Sequence, residues 1–220
     1  FASVPVFLIY TAIAILSNRE KGELVKFLIL SDIHGSAGAL KTALDSFEKD
    51  CDALILCGDF LNHGPRNPLP DGWDTKKTAD ILNAHKEKIV CVRGNCDSEV
   101  DQMMLDFPCL NAYTTIALPA PSGILRIFVH HGHLYTREEL SAWLPKGSLV
   151  ISGHTHVPLI EEEGGLLFLN PGSISLPKGG FEKSLAILEI NDSKIEISVL
   201  SISGKNELFS RKIDVSAILK

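Results

Sequence analysis

Leu28-Ile29-Leu30 reads as buried strand and then stops on Ser31-Asp32-Ile33-His34-Gly35. An apolar strand that ends on a carboxylate, an imidazole and a glycine turn constrains the fold sharply. It puts two ligand-type side chains at the carboxyl edge of an α/β sheet, where they are free of packing duty. The same event recurs four times. Gly58-Asp59, Gly94-Asn95-Cys96-Asp97, His131-Gly132-His133 and Gly153-His154-Thr155-His156 each follow a hydrophobic run. One such cluster is a weak signal. Five in one chain, rich in oxygen and imidazole donors, point to bound metal.

The periodicities between the clusters predict how the strands are joined. Leu24 to Leu30, Ala53 to Cys57 and Ile89 to Val92 are apolar runs of strand length. Helices are expected over 37–49 behind a Ser36 cap, over 75–84 behind an Asp74 cap, and over about 98–106. Three strand–helix units argue for a parallel layer. The second half changes character. Ala112 to Leu118 and Ile124 to His130 flank a Pro/Gly turn, and Thr136-Arg137-Glu138-Glu139 is a capping box that opens a short helix. Leu149 to Ile151, Val157 to Glu162, Leu166 to Leu169, Leu185 to Ile190, Ile195 to Leu200 and Glu207 to Lys212 are short runs cut by turn residues, the pattern of hairpins. The expected architecture is α/β, a four-layer α/β/β/α sandwich of two mixed sheets with the polar clusters at one edge.

With 220 residues, one full-sized domain is the default. The formal charge is -6 and no basic run occurs, so a long nucleic-acid backbone is not an expected partner. A small anion met by bound divalent cations is compatible with that charge. The five cysteines form no paired spacing and no Cys-x-x-Cys, as in a reducing, cytoplasmic setting. Cys57 and Cys91 lie in strand-like runs and read as small buried hydrophobes. Residues 1–22 stand apart as an apolar extension ahead of a domain over 23–220. As a helix, Val4 to Leu16 would rise about 20 Å, short of a roughly 30 Å hydrocarbon core. A docked element, packed on the domain or on a second copy, is expected there, not a membrane span.

The donor inventory is Asp32, Asp59 and Asn95 for oxygen and His34, His131, His154 and His156 for nitrogen. A mixed set without thiolate suits Mn²⁺, Fe²⁺ or Zn²⁺ better than a soft-ligand metal or a Ca²⁺ cage. Gly153 suggests a turn that spreads His154 and His156 over two neighbouring ions, and Asp59, alone in its cluster, is the candidate bridge.

These five motifs, in this order, resemble the calcineurin-like metallophosphoesterases. Asn62-His63-Gly64-Pro65-Arg66-Asn67-Pro68-Leu69-Pro70 and Asn170-Pro171-Gly172-Ser173 resemble the small bacterial phosphodiesterase subgroup called YfcE-like. The resemblance covers roughly residues 25 to 200. It implies two divalent ions, with Mn²⁺ foremost: Asp32, His34 and His156 on one, Asn95, His131 and His154 on the other, and Asp59 between them. Two cations lower the pKa of a coordinated water and neutralise phosphate charge, which makes in-line hydrolysis of a phosphoester the expected chemistry.

Phosphodiester hydrolysis of a small substrate leads. Phosphomonoester hydrolysis needs the same metals, and a degenerate fold used as an interaction scaffold is the reading from another class. Asp97 is expected to orient the Asn95 amide. Arg66 is expected to reach phosphate from its long loop, Arg93 to point inward beside Asn95, and Asn170 to shape the rim. Cys96 stands where many relatives carry a histidine, so substrate contact, proton donation and space filling stay open for its thiol. His133 is the alternative proton source. A homodimer or higher homo-oligomer stays open.

Overall fold

The computed structural model describes residues 23–121, 123–203 and 206–218. The apolar stretch expected to dock lies outside the described residues. The chain runs β1 (Val25–Leu30), α1 (Ala37–Phe47), β2 (Ala53–Leu56), α2 (Thr75–Ala84), β3 (Ile89–Cys91), α3 (Glu99–Met104), β4 (Tyr113–Ala120) and β5 (Gly123–His130). It continues through α4 (Arg137–Trp143), β6 (Leu149–Ile151), β7 (Leu159–Glu163), β8 (Leu166–Asn170), β9 (Ser184–Ile190), β10 (Lys194–Ser201), β11 (Glu207–Asp214) and α5 (Val215–Ile218).

Two mixed sheets form. One has the order β11-β10-β9-β1-β2-β3, the other β4-β5-β6-β8-β7. Strands β1, β2 and β3 are parallel, as the strand–helix units require, and β5, β6 and β8 are parallel in the second sheet. The late hairpin strands do not extend the second sheet. Instead β9 lies antiparallel against β1, which brings the C-terminal meander into the first sheet.

Alternation along β1 explains the layers. Phe27 and Ile29 face the second sheet and pack with Ile127, Val129, Ile151 and Leu169. Leu28 and Leu30 face outward and pack under Leu40 and Leu44 of α1 and Leu82 of α2. Phe128, Val150 and Phe168 cover the outer face of the second sheet with Leu140 of α4. A strand buried on both faces carries no polar residue until it leaves the sheet, hence the uninterrupted apolar runs. Each fully buried Leu or Ile contributes about 1.5–3 kcal/mol.

The helix starts follow the capping residues. Ser36 accepts from the Ala39 N–H, Asp74 from the Lys77 N–H, and Thr136 with Glu139 closes a reciprocal box. The parallel strands β1, β2 and β3 end at Leu30, Leu56 and Cys91, and β5 and β6 at His130 and Ile151. The five polar clusters follow at once. No helix among the described residues is long and apolar enough to cross a membrane.

Candidate metal centre

Five non-glycine residues among those described have positive φ: Asp32 (53°), His34 (49°), Asp59 (58°), His154 (66°) and His156 (60°). All five belong to the strand-end clusters. A left-handed backbone costs an L-residue about 1–2 kcal/mol, and strain of this kind persists only where the surroundings over-determine it. Here it turns each side chain back toward a common point. His34 is held by its own N–H on the Asp59 carbonyl (2.9 Å), and Asp32 by its N–H on the Gly58 carbonyl (3.2 Å). Gly94 and Gly153 are required by space: a methyl at Gly94 would collide with Asp59 Oδ1, and one at Gly153 with Ser31 Oγ.

The histidine tautomers follow from the carbonyls behind them. His34 Nδ1 donates to the carbonyl of Asn62 (2.8 Å), His131 Nδ1 to that of Cys57 (2.6 Å), and His156 Nδ1 to that of Leu176 (2.5 Å). When neutral, each ring therefore presents its Nε2 lone pair to the interior, the arrangement that second-shell carbonyls impose on metal-binding imidazoles. The lone pairs face other acceptors. His34 Nε2 lies 3.3 Å from His156 Nε2, and His131 Nε2 lies 3.0 Å from Asn95 Oδ1, whose amide Nδ2 is turned away to donate to Cys96 Sγ (3.2 Å).

The carboxylates complete the pattern. Asp32 Oδ2 accepts from Ser31 Oγ (2.6 Å) and the His154 N–H (3.0 Å). Its Oδ1 is buried without a hydrogen-bond partner, 3.2 Å from His156 Nε2 and 3.7 Å from His34 Nε2. Asp59 Oδ1 accepts from the Cys96 N–H (2.8 Å), which leaves Oδ2 between His34 Nε2 (3.6 Å) and His131 Nε2 (3.5 Å). Buried acceptors gathered without donors repel one another unless a cation lies among them. Asp32, His34 and His156 form one group able to hold an ion; Asp32, Asp59 and His131 form another. The donor set therefore fits divalent metal.

Electrostatics agree with that geometry. Burial works against the Asp32 and Asp59 carboxylates, yet the facing histidines outweigh it and hold both below the usual carboxylate range. Burial also opposes a charged His131, but the Asp59 hydrogen bond and the charges of Asp32 and Asp59 lift it to about 9. A proton on Nε2 would there stand in for a metal cation. Burial depresses His34 and His154, which keeps those rings as neutral bases.

The remaining expected residues divide. His154 is half-buried, its ring 5.1 Å from that of His131. His133 is exposed, 5.2 Å from the His131 ring and 6.0 Å from that of His154. Asp59, Asn62, Arg66, Asn95, Cys96, His154, His156 and Lys178 line a cleft of about 710 Å³, so the long loop does bring Arg66 to the site. Burial and then Asp59 push the Cys96 thiol up to about 12, and Gly64 closes over its sulfur.

Two expectations are corrected, those for Asp97 and Asn170. Asp97 does not orient the Asn95 amide: its carboxylate accepts from the backbone N–H groups of Asp59, Phe60 and Gly94 (2.6–2.8 Å) and so clamps the two loops together. Arg93 is half-buried, and its Nε donates to the Asp97 carbonyl (3.0 Å). Asn170 is buried and spent on the Gly153 carbonyl, Thr155 Oγ1 and the Gly172 N–H, so it holds the His154–His156 turn from behind. Sequence reasoning passed over Lys178, a cation in the Pro177-Lys178-Gly179-Gly180 turn, whose N–H binds the His156 carbonyl (3.1 Å). It gave no role to Ser173 or Ser175, whose hydroxyls both donate to the Asp32 carbonyl (2.8 Å).

Comparison with known proteins places this geometry. Residues 25–193 match the calcineurin-like phosphoesterase superfamily domain. The chain is 42% identical over 185 residues to phosphodiesterase YfcE of Escherichia coli K12, covering 84% of this chain and 94% of that one. It is 30% identical over 194 residues to the probable metallophosphoesterase YsnB of Bacillus subtilis, covering 82% and 93%. The solved structure of the E. coli phosphoesterase YfcE superposes with a TM-score of 0.78 at 39% identity, over 85% of this chain and 98% of that one. This chain belongs to the calcineurin-like phosphoesterase superfamily and is an enzyme of the hydrolase class.

Proposed function

We propose that residues 23–220 form a phosphodiesterase domain that holds two divalent cations and hydrolyses small phosphodiesters. The observation that carries this reading is Asp59 Oδ2, flanked at nearly equal distance by the Nε2 atoms of His34 and His131. A carboxylate oxygen so placed could be shared by two cations. On this reading Asp32, His34 and His156 hold one ion, Asn95, His131 and His154 the other, and Asp59 both. Mn²⁺ is the leading identity for a set of carboxylate, amide and imidazole donors, with Fe²⁺ and Zn²⁺ as alternatives. Such cations, when bound, supply charge for the phosphoryl oxygens and acidify water at neutral pH.

The chain's own residues do the rest. Arg66 and Lys178 stand on opposite loops of the cleft and meet the remaining phosphate charge. Asn95 ligates without adding negative charge. His133 gives a ring N–H proton to the departing oxygen. Burial, then the neighbouring His131 and His154, lower its pKa and so work against its charged form. Esters whose leaving oxygen needs no proton are therefore favoured. The Cys96 thiol, a weak donor, fills space beneath Gly64. The 42% identity to a protein named a phosphodiesterase supports diesters over monoesters. Free, mostly buried cysteines suit a cytoplasmic setting.

The test compares bis(4-nitrophenyl) phosphate with 4-nitrophenyl phosphate across Mn²⁺, Mg²⁺, Zn²⁺ and a chelator. The expected result is Mn²⁺-dependent turnover, faster on the diester and abolished by chelation. Turnover that survives chelation, or none with any metal, contradicts the reading.

A further inference from the structure

Beside the metal cleft lies a second hollow, of about 360 Å³, at the lower end of small-molecule pockets (~300–1,000 Å³). Its walls are Leu61, His63, Trp73, Val100 and Met104, and Asn62 lines both hollows. Two contacts tie it to the metal centre. The Asn62 carbonyl accepts from His34 Nδ1, and the Trp73 indole leans on the motif glycine, where a side chain at Gly35 would meet Nε1 at 2.8 Å. His63 and Trp73 stand edge to face, ring centres 6.2 Å apart at 88°.

The lining chemistry selects the occupant. One carboxylate reaches this pocket, Asp101, and its Oδ2 is taken by the Ser98 N–H and hydroxyl at the start of α3 (2.7 Å each). Beside the uncharged Asn62 and Thr75, what is left is indole, imidazole, thioether and aliphatic surface, which suits a flat neutral ring. Val100 is 68% exposed and Trp73 42%, so this apolar surface is left in water.

Resting on the phosphodiesterase reading, we propose that this hollow receives an aromatic ester arm of the substrate while its phosphate lies in the metal cleft. The enzyme is then selective for aryl or heteroaryl phosphodiesters over purely alkyl ones. Phenylphosphonate and methylphosphonate share a head group and differ in the ring, so they isolate this pocket. Calorimetry on the Mn²⁺-loaded full chain should show phenylphosphonate binding about tenfold more tightly. Trp73→Ala and Val100→Glu should each bring that ratio to about one, whereas Trp143→Ala, which lines neither hollow, should keep it. Val100→Glu alters an exposed position and serves if Trp73→Ala fails to fold.

A direct readout uses Trp143→Phe, which leaves Trp73 as the sole tryptophan. Its emission should change saturably with phenylphosphonate and not with methylphosphonate. Equal affinities for the two phosphonates, or emission indifferent to the ring, overturn the proposal. So does sedimentation showing a dimer that Val100→Glu dissolves, since the face would then belong to a second copy. If Mn²⁺-dependent turnover is present and the constants are equal, the subsite falls and the phosphodiesterase reading stands. If turnover is absent and Trp73 still reports the ring, the opposite holds.

Discussion

The inner and outer halves of the site are built on different terms. On the inner side, Asp32, His34, Asp59, His131 and His156 are buried, and their second donor or acceptor atoms are committed to backbone or serine. On the outer side, Arg66, Asn95, His133 and Lys178 are exposed. His154 belongs to both: its N–H is fixed on Asp32, while its ring is half-free. The inner half is preorganised, with its strain and desolvation already met by the fold, as charge stabilisation in a low-dielectric site requires. The outer half is open to solvent and has room to adapt.

Substitutions should divide along the same line. Asp59→Asn removes the charge between His34 and His131, so both ions should be lost together. The fall in kcat/KM should exceed the ~10–100-fold range typical of outer-shell partners. Metal content by mass spectrometry beside steady-state kinetics checks this, and a variant that keeps one ion would break the comparison. Asp97→Asn comes next. It turns an amide donor toward N–H groups that need an acceptor, which should cost about 1–3 kcal/mol in unfolding experiments and about 10–100-fold in metal affinity.

Acidity sharpens the contrast further. In chelator-treated protein His131 holds a proton up to about pH 9, because Asp59 and Asp32 outweigh its burial. Metal must displace that proton. Affinity should therefore rise by about tenfold per pH unit between pH 7 and 9 and flatten above. The same proton helps the metal-free fold: its contribution is complete below the ordinary histidine value and is lost as pH rises through 9. Titration with a competing chelator at several pH values measures the slope, and a flat profile would mean His131 is unprotonated without metal.

At the outer edge the effects should be smallest. Cys96→Ser should keep its metal and at least about a tenth of the rate on bis(4-nitrophenyl) phosphate, since a thiol that fills space is no general acid. If its rate fell about 10²-fold on alkyl leaving groups alone, the size of a lost general acid, the cysteine would be the donor. His133→Asn, measured across the same leaving groups, is expected to show that dependence instead.

The convergence of the inner polar residues was legible in the sequence because strand ends announce them: a run such as Leu28 to Leu30 cannot continue into Asp32 and His34 inside a core. The sandwich was legible for the same reason, from two kinds of periodicity. What sequence could not show is where a side chain turns once released. Asp97 stands two residues from Asn95, yet its carboxylate serves three backbone N–H groups, because Asp59 and Phe60 come from a strand 30 or more residues earlier. Asn170 was hidden likewise, since the turn it holds lies about 15 residues away along the chain. The seat of β9 beside β1 depends on pairing between the two ends of the described chain, which no local pattern encodes.

The central claim is that the buried acceptors exist to hold two cations with Asp59 between them. Anomalous diffraction from Mn²⁺-loaded crystals, collected at the manganese edge, tests it most directly. The account predicts two peaks on either side of Asp59 Oδ2, roughly 3.5–4 Å apart, one within reach of His34 and His156 and the other of His131 and Asn95. A single peak, or two that leave Asp59 outside their first coordination sphere, would contradict it.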